Sequence, residues 1–171
     1  MPRERPPATL DRLRAALDAA AVRRALIPLP QPMVTAAEVA AALQVPLEVV
    51  ATVHLVEADG DQVIVLAPGE ARIDLAAMAV VLGAQRASMA GPHATRRRFG
   101  GSPDLAAQPL HWGEVPFITG LPTIMDRALQ DREHIFTASG DPRWVVRLTP
   151  QDARKATAGQ VAPVARQARP G

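Results

Sequence analysis

The chain reads as an α+β domain, a mixed β-sheet partly wrapped by helices, and three observations predict it. Apolar residues recur at helical spacing in several separated stretches, most of them opened by a capping residue. Runs of strand length rich in valine and isoleucine lie between them, closed by glycine, proline and aspartate. The two kinds of segment do not follow a strict βαβ alternation, which argues against a doubly wound parallel sheet.

Taken in order, Thr9 is placed to cap a first helix whose stripe Leu10, Leu13 and Leu17 ends near Ala21. Ala25 to Leu29 is apolar but closed by Pro28 and Pro30, so it fits only an edge strand or an extended segment. Thr35 with Glu38 three residues on forms a capping box, and Val39, Ala42 and Leu43 make one apolar face, which predicts a second helix over Ala36 to Leu43. Pro46 suits the first turn of another short helix. Thr52 to Glu57 and Gln62 to Ala67, separated by Ala58-Asp59-Gly60-Asp61, predict a β-hairpin that Pro68-Gly69 ends. Asp74 caps a third helix carrying Leu75, Met78, Ala79 and Leu82 on one side and stopping at Gly83.

Gly91 to Leu110 holds no period and reads as a loop of a length that is usually functional or disordered. Trp112 to Phe117, Pro122 to Asp126 and His134 to Ser139 read as strands or extended segments, and Trp144 to Leu148 as a further strand after the Gly140-Asp141-Pro142 turn. Thr149, Pro150 and Asp152 have the chemistry of a helix start, which predicts a last helix. The domain then spans residues 9–157, with residues 1–8 and 158–171 as loose ends because neither sustains an apolar period.

At 171 residues the chain can bury a core without staples. It has no cysteine, which excludes disulfides and thiolate metal sites, and its four histidines (His54, His93, His111, His134) show no metal-ligand spacing, so neither a metal nor another cofactor is expected. The first residues lack an apolar signal core and the longest uncharged apolar run, Leu75 to Ala84, is too short to span a bilayer, so the expectation is a soluble cytoplasmic protein. The net charge is only +2, but the basic residues are almost all arginine, which suits bidentate phosphate contacts. Arg96, Arg97 and Arg98 form the densest cluster and read either as a solvated loop or as a contact to an RNA backbone. With three Phe, two Trp and no Tyr, a base-stacking platform is not expected.

Several words of the sequence resemble one family, the bacterial YbaK-like aminoacyl-tRNA deacylases and the editing insertion of prolyl-tRNA synthetase. Thr35-Ala36-Ala37-Glu38 resembles that family's Thr-Ala-Glu-Glu helix start. Asp74-Leu75 followed by Leu82-Gly83-Ala84 is similar to its helix after the hairpin, and Gly113-Glu114-Val115-Pro116 resembles its glycine-to-proline active-site loop. Leu121-Pro122-Thr123-Ile124-Met125-Asp126 resembles its strand ending in aspartate, and Ser139-Gly140 its following turn. Three departures stand out. Ala51 occupies the place of the family's usual lysine before Thr52, the loop glycine and proline are one residue closer than usual, and the loop before Gly113 is longer. Lys155, the only lysine, sits in the last helix, from where it would have to fold back; Arg86 or Arg96 to Arg98 could supply charge but not a proton at neutral pH.

The resemblance implies a deacylase that holds an already activated ester, places a water and stabilises the oxyanion largely with backbone N–H groups. Gly113 and Gly140 are the residues expected against the substrate at the reacting centre, since glycine permits the closest backbone approach, although each could serve an ordinary turn. Ala51, Val53, Pro116, Asp126 and Ser139 are the expected substrate-binding residues, and Arg96, Arg97 and Arg98 the expected tRNA contacts. Asp126 could order a loop or a water at the pocket mouth, or cap the helix beginning at Arg127. Strand alternation puts Val53 and Leu55 on the face of Ala51, and Thr52 and His54 on the other, so His54 reads as a packing or hydrogen-bonding histidine. His111 and His134 pair with no serine or carboxylate at a triad spacing.

Three functions follow. The first is a free-standing trans-editing hydrolase that clears mischarged tRNA by pocket size, meeting it alone or through an aminoacyl-tRNA synthetase. The second is a non-catalytic tRNA- or partner-binding module of the same fold, which Ala51 favours, and the third an unrelated small α+β domain.

Overall fold

A computed structural model describes residues 10–33, 35–91, 93–94 and 120–166. Helix α1 spans Asp11–Ala19 and buries Leu13 and Leu17; Leu10 precedes it without a side-chain cap, and Thr9 lies outside the described residues. Strand β1 (Ala25–Pro28) forms an outer edge of the sheet, as its prolines require. Helix α2 covers Ala36–Leu43 behind a complete capping box: Thr35 Oγ1 accepts from the Glu38 N–H and Glu38 Oε2 from the Thr35 N–H, each at 3.1 Å. Leu47–Val49 forms a 3₁₀ turn with Pro46 just ahead of it rather than inside it.

The hairpin is longer than the sequence suggests. β2 (Val50–Ala58) and β3 (Asp61–Pro68) pair along their whole length, and the two-residue turn Asp59-Gly60 has positive φ at both positions, the conformation that matches strand twist. Gly69, at φ +53, ends β3, and its N–H donates to the Val50 carbonyl at 2.7 Å. After the short β4 (Arg72–Ile73), α3 (Leu75–Leu82) is capped by Asp74, whose Oδ1 accepts from the Ala77 N–H, and closes at Gly83 in the left-handed conformation. β5 (Ala87–Met89) returns antiparallel along the far end of β2.

β6 (Thr123–Asp126), the single turn α4 (Arg127–Gln130), β7 (Ile135–Ala138), β8 (Trp144–Leu148) and α5 (Pro150–Thr157) follow as expected. The segment Trp112 to Phe117 lies outside the described residues. The expected loose tail from Ala158 is corrected: β9 (Gln160–Ala162) adds to the sheet beside β6, and β10 (Ala165–Arg166) pairs with β4. These strands are too short to show a period, and much of what anchors them is non-local. Asp126 Oδ1 accepts from the Val164 and Ala165 N–H groups, both at 2.8 Å, and Val164 is fully buried. The folded unit therefore reaches Arg166.

The main sheet runs β1-β8-β7-β2-β3-β6-β9, with β5 also on β2. Its pairings are mixed: β7 lies parallel to β2, β6 to β3 and β9 to β6, while the rest are antiparallel. On one face, Leu13 and Leu17 of α1, Leu129 of α4 and Ala153 of α5 pack on Ala51, Val53, Leu55, Ile64, Leu66, Met125, Ile135, Val146 and Leu148. On the other, α2 covers Val50, Phe136, Ala138 and Val145, and Met78 of α3 covers Val56, Val63, Val65 and Ile124. The expected α+β architecture, a mixed sheet wrapped by helices, is what the chain forms.

Candidate functional site: a forked strand edge

β2 is the strand around which the candidate site is built. One edge is fully occupied by β3, but the other is shared: β7 pairs only with Val50 and Ala51, and β5 only with Val56 to Ala58. Among the described residues no strand lies against Thr52 to Leu55, a break of roughly 13 Å at ~3.3 Å per residue. Two hydrogen bonds fix which backbone groups face it. The Val50 carbonyl accepts from Gly69 on the β3 edge, and the Leu55 carbonyl accepts from the Ala90 N–H at 3.0 Å on the opposite edge. Strand polar groups alternate between edges, so the N–H and C=O of Val53 point into the break.

The break is walled by the ends of its two neighbours. On one side β7 finishes at Ala138 and turns through Ser139 and Gly140, the latter at φ +91. On the other, β5 leaves through Ala90 and Gly91 toward residues outside the description. Gly113, Pro116, Arg96, Arg97 and Arg98 all lie among those residues.

The two faces of β2 differ in chemistry, in line with strand alternation. Ala51, Val53 and Leu55 look into the aliphatic core, the first two at 0 % exposure. Thr52 and His54 look the other way and bond each other, Oγ1 to Nε2 at 2.9 Å, while Thr52 Oγ1 donates to the Ala67 carbonyl at 3.1 Å. With the hydroxyl proton so used, His54 Nε2 carries a proton and donates to Thr52. Burial drops the His54 pKa to about 4, so the ring is neutral near pH 7. It is a hydrogen-bonding histidine on the face away from Ala51.

Other expected site residues have structural partners. Ser139 Oγ is fully buried, lies 2.8 Å from the Trp144 carbonyl and 3.1 Å from that of Asp141, and accepts from the Asp141 N–H, so it holds the turn containing Gly140. Asp126 uses Oδ2 to accept from the Ala128 N–H at 3.0 Å, capping α4, and Oδ1 to hold the 163–165 segment. Lys155 Nζ reaches the Ala21 carbonyl at 3.4 Å at the end of α1. Arg86 is exposed at the hairpin tip, where its N–H and that of Gln85 bond the Asp59 carboxylate. The structure thus brings Ala51, Val53, Ser139 and Gly140 to one region and places Asp126 two strands away across β3.

One polar group was not among the expected site residues. Thr137, in register with Ala51 on β2 and with Val146 on β8, is 1 % exposed, and its Oγ1 has no hydrogen-bond partner. The signal was present in the alternation of β7, where Ile135 and Thr137 share the face opposite to Phe136 and Ala138. A threonine among inward-facing aliphatics is the exception in that pattern.

Elsewhere, a groove of about 730 Å³ lies at the hairpin tip, lined in part by Glu57, Asp59, Asp61, Leu82, Leu121 and Pro122. Its carboxylates disfavour phosphate, and it sits at the opposite end of β2 from Ala51. Among the described residues no cluster of three His, Asp or Glu could hold a metal, and no helix is long and apolar enough to cross a membrane.

Comparison with known proteins agrees with this fold. A solved structure described only as a hypothetical protein superposes with a TM-score of 0.78 at 21 % identity, covering 91 % of this chain and 99 % of its own. A candidate trans-editing enzyme for prolyl-tRNA synthetase matches with a TM-score of 0.78 at 22 % identity over 95 % of this chain and 100 % of its own. A candidate signal-transduction protein from Marinobacter aquaeolei VT8 matches with a TM-score of 0.68 at 19 % identity over 96 % of this chain but 31 % of its own. No curated protein matches the sequence. Residues 30–156 match the model of the aminoacyl-tRNA editing domain, and they contain the forked strand, the turn at Gly140 and the Asp126 cap: the chain belongs to the aminoacyl-tRNA editing domain family.

Proposed function

We propose that this protein is a trans-editing aminoacyl-tRNA deacylase, acting as a separate chain to hydrolyse the ester of mischarged tRNA. The observation that carries the reading is the break beside β2, where the backbone N–H of Val53 is turned toward an edge on which no strand pairs among the described residues, within a domain of the editing family. An aminoacyl ester is already activated, so a preorganised N–H donor aimed at the developing oxyanion and a positioned water supply most of what hydrolysis needs.

Gly140, at the wall of the break, leaves room for the terminal ribose to approach the backbone, and Gly113 serves the same end from the loop word that resembles the family's. Ala51, Val53, Pro116 and Ser139 are the residues assigned to the amino-acid end of the substrate, which is sieved by size, and Asp126 braces the neighbouring strand. Arg96, Arg97 and Arg98 supply contacts to the tRNA backbone. The partner is mischarged tRNA, met directly or through a synthetase.

The second reading, a binding module without chemistry, is favoured by one observation: the site face around Ala51 is wholly aliphatic apart from Thr137. The rate of ester release from tRNAs charged with alanine, cysteine, serine, threonine and proline separates the two. Acceleration on one or two esters, removed by a bulky residue at Gly113, supports the hydrolase. Spontaneous rates throughout with a folded sample, together with tRNA binding that weakens steeply as salt rises, support the module.

A further inference from the structure

Helix α3 has the composition of a covered helix but the position of a surface one. Every side chain of Leu75–Leu82 is apolar, the pattern of a helix enclosed on all sides, yet only Met78 is buried. Val80 is 81 % exposed and Val81 38 %. Met89 of β5 stands directly opposite Val56, which places it on the sheet face that α3 covers, and it is 43 % exposed. Among the described residues these are the exposed large hydrophobic side chains. The strip they form leads into the groove at the hairpin tip, because Leu82, Gly83 and Ala84 follow Val81 and make one wall of it. The groove is also acidic. Glu57, Asp59 and Asp61 line it, with no cationic side chain among its described lining residues. Asp59 spends both carboxylate oxygens on the Gln85 and Arg86 N–H groups, while Glu57 and Asp61 enter no ion pair among the described residues.

An apolar strip beside unpaired carboxylates defines the chemistry of what covers it. The carboxylates repel the phosphates of nucleic acid and of lipid headgroups alike. Three exposed side chains offer on the order of a few hundred Å², well under the roughly 800 Å² per partner that a stable pair of folded surfaces buries, which disfavours a second copy of the chain. A single segment fits better, laying aliphatic side chains on Val80, Val81 and Met89 and reaching Glu57 and Asp61 with arginine or lysine. We propose that the outer face of α3 and the groove at the hairpin tip form a docking surface for an amphipathic, cationic segment of a partner protein. This surface is distinct from the break beside β2, and the proposal stands whether or not the chain hydrolyses ester.

The test uses the full chain and a defined probe, a fluorescent synthetic helix of about 14 residues with leucine on one face and arginine on the other. Two control peptides replace arginine by glutamate or leucine by serine. Anisotropy gives the affinities, nitrogen-15 chemical shifts locate the contact, and sedimentation of the chain alone gives its oligomeric state. The leucine–arginine peptide is expected to bind saturably and more weakly as salt rises, to shift Val80, Val81, Met89 and Asp61, and to bind at least about tenfold more tightly than either control. Val80→Ser with Val81→Ser should weaken it about tenfold, and Glu57→Gln with Asp61→Asn about fivefold with a flatter salt dependence. Both pairs alter side chains that are not buried, so the fold is kept, which thermal unfolding checks. Absence of saturable binding overturns the proposal, as do equal binding of the glutamate peptide, shifts confined to other elements, or an affinity unchanged in either double variant. Self-association of the chain that Val80→Ser with Val81→Ser abolishes would assign the face to a second copy and overturn it as well.

Discussion

Replacing Asp126 removes one carboxylate and strands three backbone donors. Ala128 N–H loses its acceptor Oδ2, and Val164 and Ala165 N–H lose Oδ1. An N-cap is worth about 1 kcal/mol. A buried donor left unsatisfied costs about 1–3 kcal/mol, but the two share one oxygen and their losses overlap, so Asp126→Ala should cost about 3–5 kcal/mol in all. Asp126→Asn is a graded control: an amide oxygen in the Oδ1 position still accepts from Val164 and Ala165, while the NH₂ turns toward the Ala128 N–H. Only the cap is lost, for about 1–2 kcal/mol. Urea unfolding followed by circular dichroism measures both, and hydrogen exchange at Val164 and Ala165 localises the damage. Asp126→Ala within about 1 kcal/mol of wild type, or Asp126→Asn as damaging as Asp126→Ala, would refute the assignment of the two oxygens. The pair also separates two roles for this residue: if the carboxylate serves the fold alone, Asp126→Asn hydrolyses ester at the wild-type rate wherever it remains folded.

Other outcomes follow from single contacts. The folded-state pKa of His54, lowered to about 4, lies below its ordinary value of 6.5, so the unfolded chain takes up a proton first as pH falls. Its contribution is complete above pH 6.5 and is lost between there and pH 4, by up to about 3 kcal/mol at 1.36 kcal/mol per pKa unit. His54→Gln should flatten stability between pH 7 and 4.5, and a wild type equally stable at both would contradict the burial of a neutral ring. Gly69→Ala places a Cβ at φ +53, 2.9 Å from Leu47 Cγ and 3.0 Å from the Leu47 carbonyl. It should cost about 1–3 kcal/mol in thermal unfolding. Ala51→Lys, the change that the family resemblance suggests at this position, sets an ammonium on a fully buried core face. It should lower stability by at least about 2 kcal/mol, so a gain in hydrolysis would have to be read against the fraction folded.

Local chemistry was legible wherever a segment's own residues decide its shape. Thr35 and Glu38 define the start of α2, Asp59-Gly60 the hairpin turn, Asp74 and Gly83 the two ends of α3, and Thr149 and Pro150 the start of α5. Alternation from Ala51 to Leu55 correctly divided β2 into an aliphatic face and a Thr52–His54 face. What could not be read locally depends on residues distant in sequence. β9 and β10 are three and two residues long and owe their place to Asp126 and β4, whose contacts lie dozens of residues away. The sharing of one β2 edge between β5 and β7 is a matter of register across chain separations that no local pattern encodes. Thr137 was visible as a letter, but its lack of a partner needs the neighbours in three dimensions.

The forked edge also sets when the site can exist during synthesis. The hairpin and β5 are complete once residue 89 has emerged, yet the opposite wall waits for β7 at Ile135–Ala138, and β8 and β1 must then close around it. A nascent chain stalled between those points carries half a crevice and an open strand edge, with no second wall to position an ester. The ester-cleaving capacity proposed above would thus arrive late and all at once, making it a report on long-range pairing as much as on the residues that line the break.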